Sequence, residues 1–267
     1  MSYVADKHGL PLLSVLALLA LASSFFNDNH EIRSASRALP VASRPSVSEA
    51  LAAWAKANAL SATEARPFVL VATAGGGIRA AYWTGTVLGE LDAKVDAFRE
   101  RLFAVSGVSG GSVGATVYRS LIALPRERLN EKCPKGVTQC AQKILGTDSL
   151  GALAAAMLYP DLGQRFFPLP WFPDRAAPLE QAWESAFMAA AGENGLESSL
   201  AGLAKPWPAL FLNATWSDAG RRIVASNLRY ADADAFVRSK DQLAVLGHDL
   251  RLSTAAHNSA RFPITPL

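Results

Sequence analysis

Between Phe68 and Tyr118 two short apolar runs alternate with two glycine clusters: FVLVAT then AGGGIRA, and LFAVS then GVSGGSVG. Runs this short, rich in valine and closed by glycine, predict strands buried in a parallel sheet, at Phe68–Thr73 and Leu102–Ser106. A helical pattern follows each, Ile78–Lys94 after the first and Ser109 to about Leu124 after the second. Two strand–turn–helix units in a row place both glycine turns at the carboxyl edge of one sheet, where α/β proteins hold their chemistry. The expected fold is α/β, a three-layer α/β/α domain around a mostly parallel sheet.

The second turn reads Gly107-Val108-Ser109-Gly110-Gly111, a G-x-S-x-G. A serine on a sharp strand-to-helix turn sits in a strained backbone conformation, and side chains at the flanks would collide with strand and helix. Glycine at Gly107 and Gly111 removes those collisions and leaves the serine hydroxyl exposed above the sheet. Ser109 is therefore the expected nucleophile. An overlapping match, Gly110-Gly111-Ser112-Val113-Gly114, offers Ser112, which would lie one turn into the helix.

The first turn, Ala74-Gly75-Gly76-Gly77-Ile78-Arg79-Ala80, lets backbone N–H groups converge at a helix N-terminus, which favours negative charge. Two ligands suit it. One is the oxyanion of an ester-hydrolysis intermediate. The other is a dinucleotide pyrophosphate, because Gly75, Gly77 and Ala80 satisfy the Rossmann spacing. A dinucleotide needs an acidic residue near the end of the next strand for the ribose. That strand ends in serine and glycine, and Asp92, Asp96 and Glu100 all precede it. The oxyanion is the better fit.

The pair GGGIRA and GVSGGS, one β-α unit apart, resembles the patatin-like phospholipases, including their cytosolic phospholipase A2 branch. The resemblance implies Ser109 as nucleophile, Gly75, Gly76 and Gly77 as the oxyanion loop, and Arg79 as the arginine beside that loop. It also implies an aspartate base in an Asp-Gly-Gly or Asp-Gly-Ala motif late in the domain. Two departures stand out: Ala74 occupies a position where the family often has aspartate, and no Asp-Gly pair occurs in the chain. The base is accordingly expected beyond residue 267. The stretch RLSTAAHNSARFP, a short helix over Leu250–Ala260, is similar to a serine- and alanine-rich helix near the site in that family.

With 267 residues, half of them hydrophobic, the chain has enough for one sizeable α/β domain and an appendage. A net charge of +3 without a basic cluster argues against nucleic acid. The two cysteines, Cys133 and Cys140, fit no common zinc spacing; they form either a small disulfide or two unpaired thiols. Beyond the Rossmann spacing at Gly75–Ala80, which lacks its ribose acid, no cofactor or metal motif occurs, and none is expected. Gly9–Phe26 is apolar and uncharged, long enough to span a bilayer. We expect a membrane segment over residues 1–26, single or the last of several, with a cleaved signal peptide as the rival. Arg33, Arg37 and Arg44 beyond it lean towards a cytoplasmic catalytic domain. Residues 27–66 read as a linker and a short helix started by the capping box Ser46–Glu49, with Leu51, Trp54 and Ala55 on its packing face. Residues 67–267 form the hydrolase domain. Within it, Tyr82, Trp83 and Leu88 are expected in the core.

Two further segments bear on function. QRFFPLPWFPDR is a proline-shaped aromatic loop, either a plug for a hydrophobic gap or a lid and membrane-contact surface. Ala209–Thr215 and Arg222–Ser226 predict a hairpin turning at Asp218-Ala219-Gly220. Asp218 is a turn residue first and a candidate base second. An α/β-hydrolase triad is also available from Ser109, Asp232 or Asp249, and His257, although His257 falls in a helical stretch. The expected function is a membrane-associated serine acyl-ester hydrolase acting on phospholipid or another acyl lipid. The alternatives are a catalytically inactive lipid-binding relative and, further off, a dinucleotide-dependent oxidoreductase.

Overall fold

A computed structural model describes residues 9, 11–26, 32–58, 67–169, 171–203, 205, 207–217, 219–230 and 238–261. In chain order the main elements are α1 (Leu12–Ser24), α2 (Val47–Ala57), β1 (Val69–Thr73), α3 (Gly77–Lys94), β2 (Leu102–Val108), α4 (Gly110–Ile122), α5 (Arg126–Lys132), α6 (Gly136–Leu145), α7 (Leu150–Ala156), α8 (Ala176–Ala191), β3 (Ala209–Trp216), β4 (Arg221–Ser226), β5 (Ser239–Asp241), α9 (Gln242–Leu246) and α10 (Leu252–Ala260). The protein is α/β. Among the described residues five strands form one sheet in the order β1-β2-β3-β4-β5, parallel except where β3 meets β4.

Two compact units divide the chain: Met1–Ile32 with Asp148–Ala182, and Arg33–Thr147 with Trp183–Phe262. The sheet lies wholly in the second. There α3 packs on α4 and α6, and α10 packs on α4 and β3. Successive residues of a strand face opposite sides. Gly107 of β2 abuts Ser112 of α4, whereas Ala104 belongs with Ala209 and Leu228 to a cluster closed by Ala50 and Trp54 of α2. Helices therefore lie on both faces. The capping box of α2 is formed: Ser46 Oγ accepts from the Glu49 N–H at 3.2 Å, and Glu49 Oε2 accepts from the Ser46 N–H at 2.6 Å.

Four expectations need correction. First, β1 is an edge strand rather than a buried one: Leu70 is 62 % exposed, and α2 reaches only its start, where Trp54 meets Phe68 edge-on at 5.1 Å. Second, Leu88 is core, but Trp83 is 69 % exposed and Tyr82 is exposed as well. On α3 they sit five and six positions from Leu88, turned away from the face that α4 and α6 cover. Third, Leu51 is exposed, and α2 packs through Ala50 and Trp54 instead. Fourth, α1 has 13 residues, with Pro11 at its N-cap. At about 1.5 Å per residue it is about 20 Å long, short of the roughly 30 Å hydrocarbon core. Among the described residues no helix is long and apolar enough to cross a membrane.

Buried charges latch the segment before α2 onto the far side of the sheet. Arg44 is almost fully buried and binds Asp241 through both Nη1 (3.2 Å) and Nη2 (2.8 Å). Its Nη1 also donates to the Ser226 carbonyl at 2.8 Å, and Nε to that of Val41 at 3.0 Å. Cys133 and Cys140, left open above, form a buried disulfide that ties the end of α5 to α6.

Replacing one partner of a buried pair leaves the other charge uncompensated. Arg44→Met is therefore expected to lower unfolding free energy by about 3–5 kcal/mol in urea titrations. Cys133→Ser with Cys140→Ser is expected to cost about 2 kcal/mol, the entropy of so small a loop, and the oxidised chain should migrate faster than the reduced one on non-reducing gels.

Candidate active site

β2 runs to Val108 and α4 starts at Gly110, so one residue makes the turn. That residue, Ser109, has φ 53° and ψ −124°. Such a conformation costs a non-glycine residue about 1–3 kcal/mol and persists only where the surroundings enforce it. Three glycines explain how they do. A β-carbon on Gly107 would lie 2.7 Å from Ser112 Cα. One on Gly110 would lie 1.9 Å from the Gly77 carbonyl oxygen, and one on Gly111 would lie 2.7 Å from that of Ala74. Gly107 and Gly111 are thus needed for the reason the motif suggested. The need for Gly110 is new: it lets the first turn of α4 meet the first turn of α3.

The glycine loop lies beside the serine, as expected. A β-carbon on Gly75 would be 3.3 Å from Ser109 Cβ. Gly76 caps α3 with φ 154°, and Gly77 has φ 59°, conformations that side chains rarely adopt. The first N–H groups of a helix have no intrahelical acceptor. At α3 these belong to Gly76, Gly77 and Ile78, next to the nucleophile turn. Arg79 extends from the same turn and is exposed.

Ser109 and Ser112 separate cleanly. Ser112 is fully buried, and its hydroxyl bonds Ser259 Oγ at 2.7 Å. Ser109 is half-buried, with its Oγ free of hydrogen bonds to the described residues. Three residues that the motif reading passed over hold the turn. Asn213 of β3 donates from Nδ2 to the Gly107 carbonyl (2.8 Å) and to Ser106 Oγ (3.0 Å). Its Oδ1 accepts from Arg222 Nε of β4 at 3.0 Å. Ser259 of α10 accepts from the Ser109 N–H at 3.0 Å. A signal for Asn213 was present, an amide between apolar residues in LFLNATW. Ser259 lies in the serine- and alanine-rich helix already noted.

The hydrolase triad does not assemble. Asp249 is buried, and its carboxylate accepts from the N–H groups of Leu39, Ala201 and Leu250 and from Ser199 Oγ. His257 is buried with its ring edge-on to Trp183, centroids 5.8 Å apart. Neither bonds Ser109. Asp218 and Asp232 lie outside the described residues. Of the acids weighed for a ribose, Asp92 is committed to Arg99 Nε at 2.9 Å, and Asp96 and Glu100 are exposed on the approach to β2. A cavity of about 320 Å³ lined by Asp92, Phe98, Arg99 and Arg126 sits at the amino end of β2, away from Ser109. Farther along α4, Arg119 is buried and, among the described residues, donates to the carbonyls of Lys205 (2.9 Å) and Pro208 (3.0 Å). Burial pulls its pKa down to about 10. It tethers the approach to β3 without reaching the site.

No protein family, curated protein or solved structure matches the chain.

Gly110→Ala and Gly111→Ala should each destabilise the domain by about 3 kcal/mol, because the clashing atoms are backbone. Gly163→Ala, where a β-carbon meets nothing within 4 Å, serves as the control and should change unfolding free energy little.

Proposed function

We propose that the chain is a serine acyl-ester hydrolase of the patatin-like kind, acting on a phospholipid or another acyl lipid. One observation carries this reading: a strained, half-buried serine, whose hydroxyl bonds none of the described residues, lies against a glycine turn whose N–H groups have no helical acceptors. Ser109 Oγ attacks the ester carbonyl, and its proton passes to the base. N–H groups of the Gly75–Gly77 turn hold the developing oxyanion, each strong donor contributing about 3 kcal/mol. The alcohol leaves with the proton, and water then releases the fatty acid from the acyl-serine. The base is a carboxylate outside the described residues. The α/β fold with both glycine turns at one sheet edge supports the resemblance to patatin-like enzymes.

A lipid substrate and a membrane-associated protein are supported by the exposed apolar surface of the smaller unit. Leu13, Leu18, Phe25 and Phe26 of the N-terminal segment are exposed, as are Leu169, Trp171 and Phe172 in the aromatic loop, with Trp171 at 68 %. That loop is shaped rather than loose: Phe167 stacks on Trp171 at 5.1 Å, and Gln164 Oε1 accepts from the N–H groups of Trp171 (3.3 Å) and Phe172 (3.1 Å). Side chains of this kind partition into a bilayer interface. The disulfide points to an oxidising compartment, away from the cytoplasmic side to which the downstream arginines leaned.

A second reading, a lipid-binding relative without activity, is favoured by one fact: no carboxylate or imidazole of the described residues bonds Ser109 Oγ. A fluorophosphonate probe decides between them. Labelling of the full chain that is lost in Ser109→Ala supports the hydrolase. Labelling that persists in Ser109→Ala rejects Ser109 as nucleophile. Binding to phosphatidylglycerol vesicles with neither labelling nor fatty acid release establishes the second reading.

A further inference from the structure

Of the outside groups that hold the nucleophile turn, one hydroxyl bonds the Ser109 amide itself. A serine hydroxyl has one proton and two lone pairs. Ser259 Oγ spends its proton on the Asn213 carbonyl at 2.5 Å. Its two lone pairs then accept the Ser109 N–H at 3.0 Å and the Ser112 hydroxyl at 2.7 Å. All three capacities are used. The contacts join α10, the middle of β3 and the first turn of α4 at a single atom.

We infer that Ser259 is a positioning residue for the nucleophile: by accepting the Ser109 N–H it fixes the orientation of the Ser109 peptide, and with it the direction of Oγ. The catalytic half of this inference rests on the hydrolase reading above; the structural half does not. Two features single out Ser259. The Ser109 conformation is one that the residue does not adopt unaided, so the peptide needs an external partner. And with its N–H committed to Ser259, Ser109 contributes no donor to the oxyanion. That task falls to the Gly75–Gly77 turn and to the N–H of Gly110, the first in α4. The geometry therefore divides the amides around the serine into one that holds the nucleophile and others that receive the charge.

The test compares Ser259→Ala, which removes the acceptor, with Ser259→Thr, which keeps it. Hydrogen exchange is followed in the peptide covering residues 107–113 of the full chain, alongside the second-order rate of fluorophosphonate labelling and the melting temperature. In Ser259→Ala the Ser109 amide should exchange about tenfold faster or more, and labelling should slow about tenfold, as expected for one lost hydrogen bond. Ser259→Thr should restore both. A purely structural role would lower the melting temperature of either variant but would not make labelling follow the hydroxyl. Exchange in Ser259→Ala within twofold of the parent chain overturns the inference. So does faster exchange with an unchanged labelling rate. If the parent chain itself is not labelled, the hydrolase reading fails, and exchange at Ser109 alone decides whether Ser259 holds the turn.

Discussion

The site depends on two helices starting closer together than side chains permit. The first turn of α4 approaches the first turn of α3 until the Gly77 carbonyl oxygen occupies the place a β-carbon of Gly110 would take. Helix starts carry unpaired N–H groups and the positive end of the dipole, so bringing two of them together concentrates donors at one point. In water that point is merely solvated. On the hydrolase reading proposed above, it would receive charge as the charge forms. The strain in Ser109 is the counterpart of this approach: the strand must reverse into the helix within one residue, and only glycine neighbours leave room for it.

Much of this was legible because it is local. Glycines at fixed offsets after a valine-rich run specify a strand, a turn and a helix in succession, and the structure places both turns at one sheet edge. The difference in exposure between Ser109 and Ser112 was legible for the same reason, since position relative to the strand end sets it. What the sequence concealed lies across the fold. Asn213 and Ser259 are more than 100 residues from the turn they brace, and nothing local marks their partners. Tyr82 and Trp83 were misplaced because helical spacing shows which residues share a face, not which face is covered. The same holds for β1, whose composition suits a central strand although it lies at the edge. Asp249 and His257 had the residue types of a triad, but buried backbone donors claim the first and an aromatic wall encloses the second.

Polar groups do much of the work of closing the larger unit. Glu184 of α8 accepts from Arg33 at 3.0 Å and from Ser253 of α10 at 2.6 Å, and Asp249 gathers three backbone amides from separate parts of the chain. These contacts satisfy groups that the turns and helix ends would otherwise leave buried and unpaired. They also fix the segment from Arg33 to Ser46 against the sheet by hydrogen bonds rather than by a broad apolar face.

The Arg44–Asp241 pair therefore has a mechanical meaning. Arg44 comes before every strand in sequence, yet it is anchored at the β4–β5 side, the opposite end of the sheet order from β1. Force applied through the N-terminal residues meets the Arg33–Glu184 and Leu39–Asp249 contacts first, and Arg44 is the last of these anchors before α2. At Arg44 it is resisted by contacts to the Asp241 carboxylate and to the Ser226 and Leu228 carbonyls, and the nearest strand in that load path lies three strands away from β1 and its glycine turn. The sheet edge that carries the glycine turns is isolated from the anchored segment.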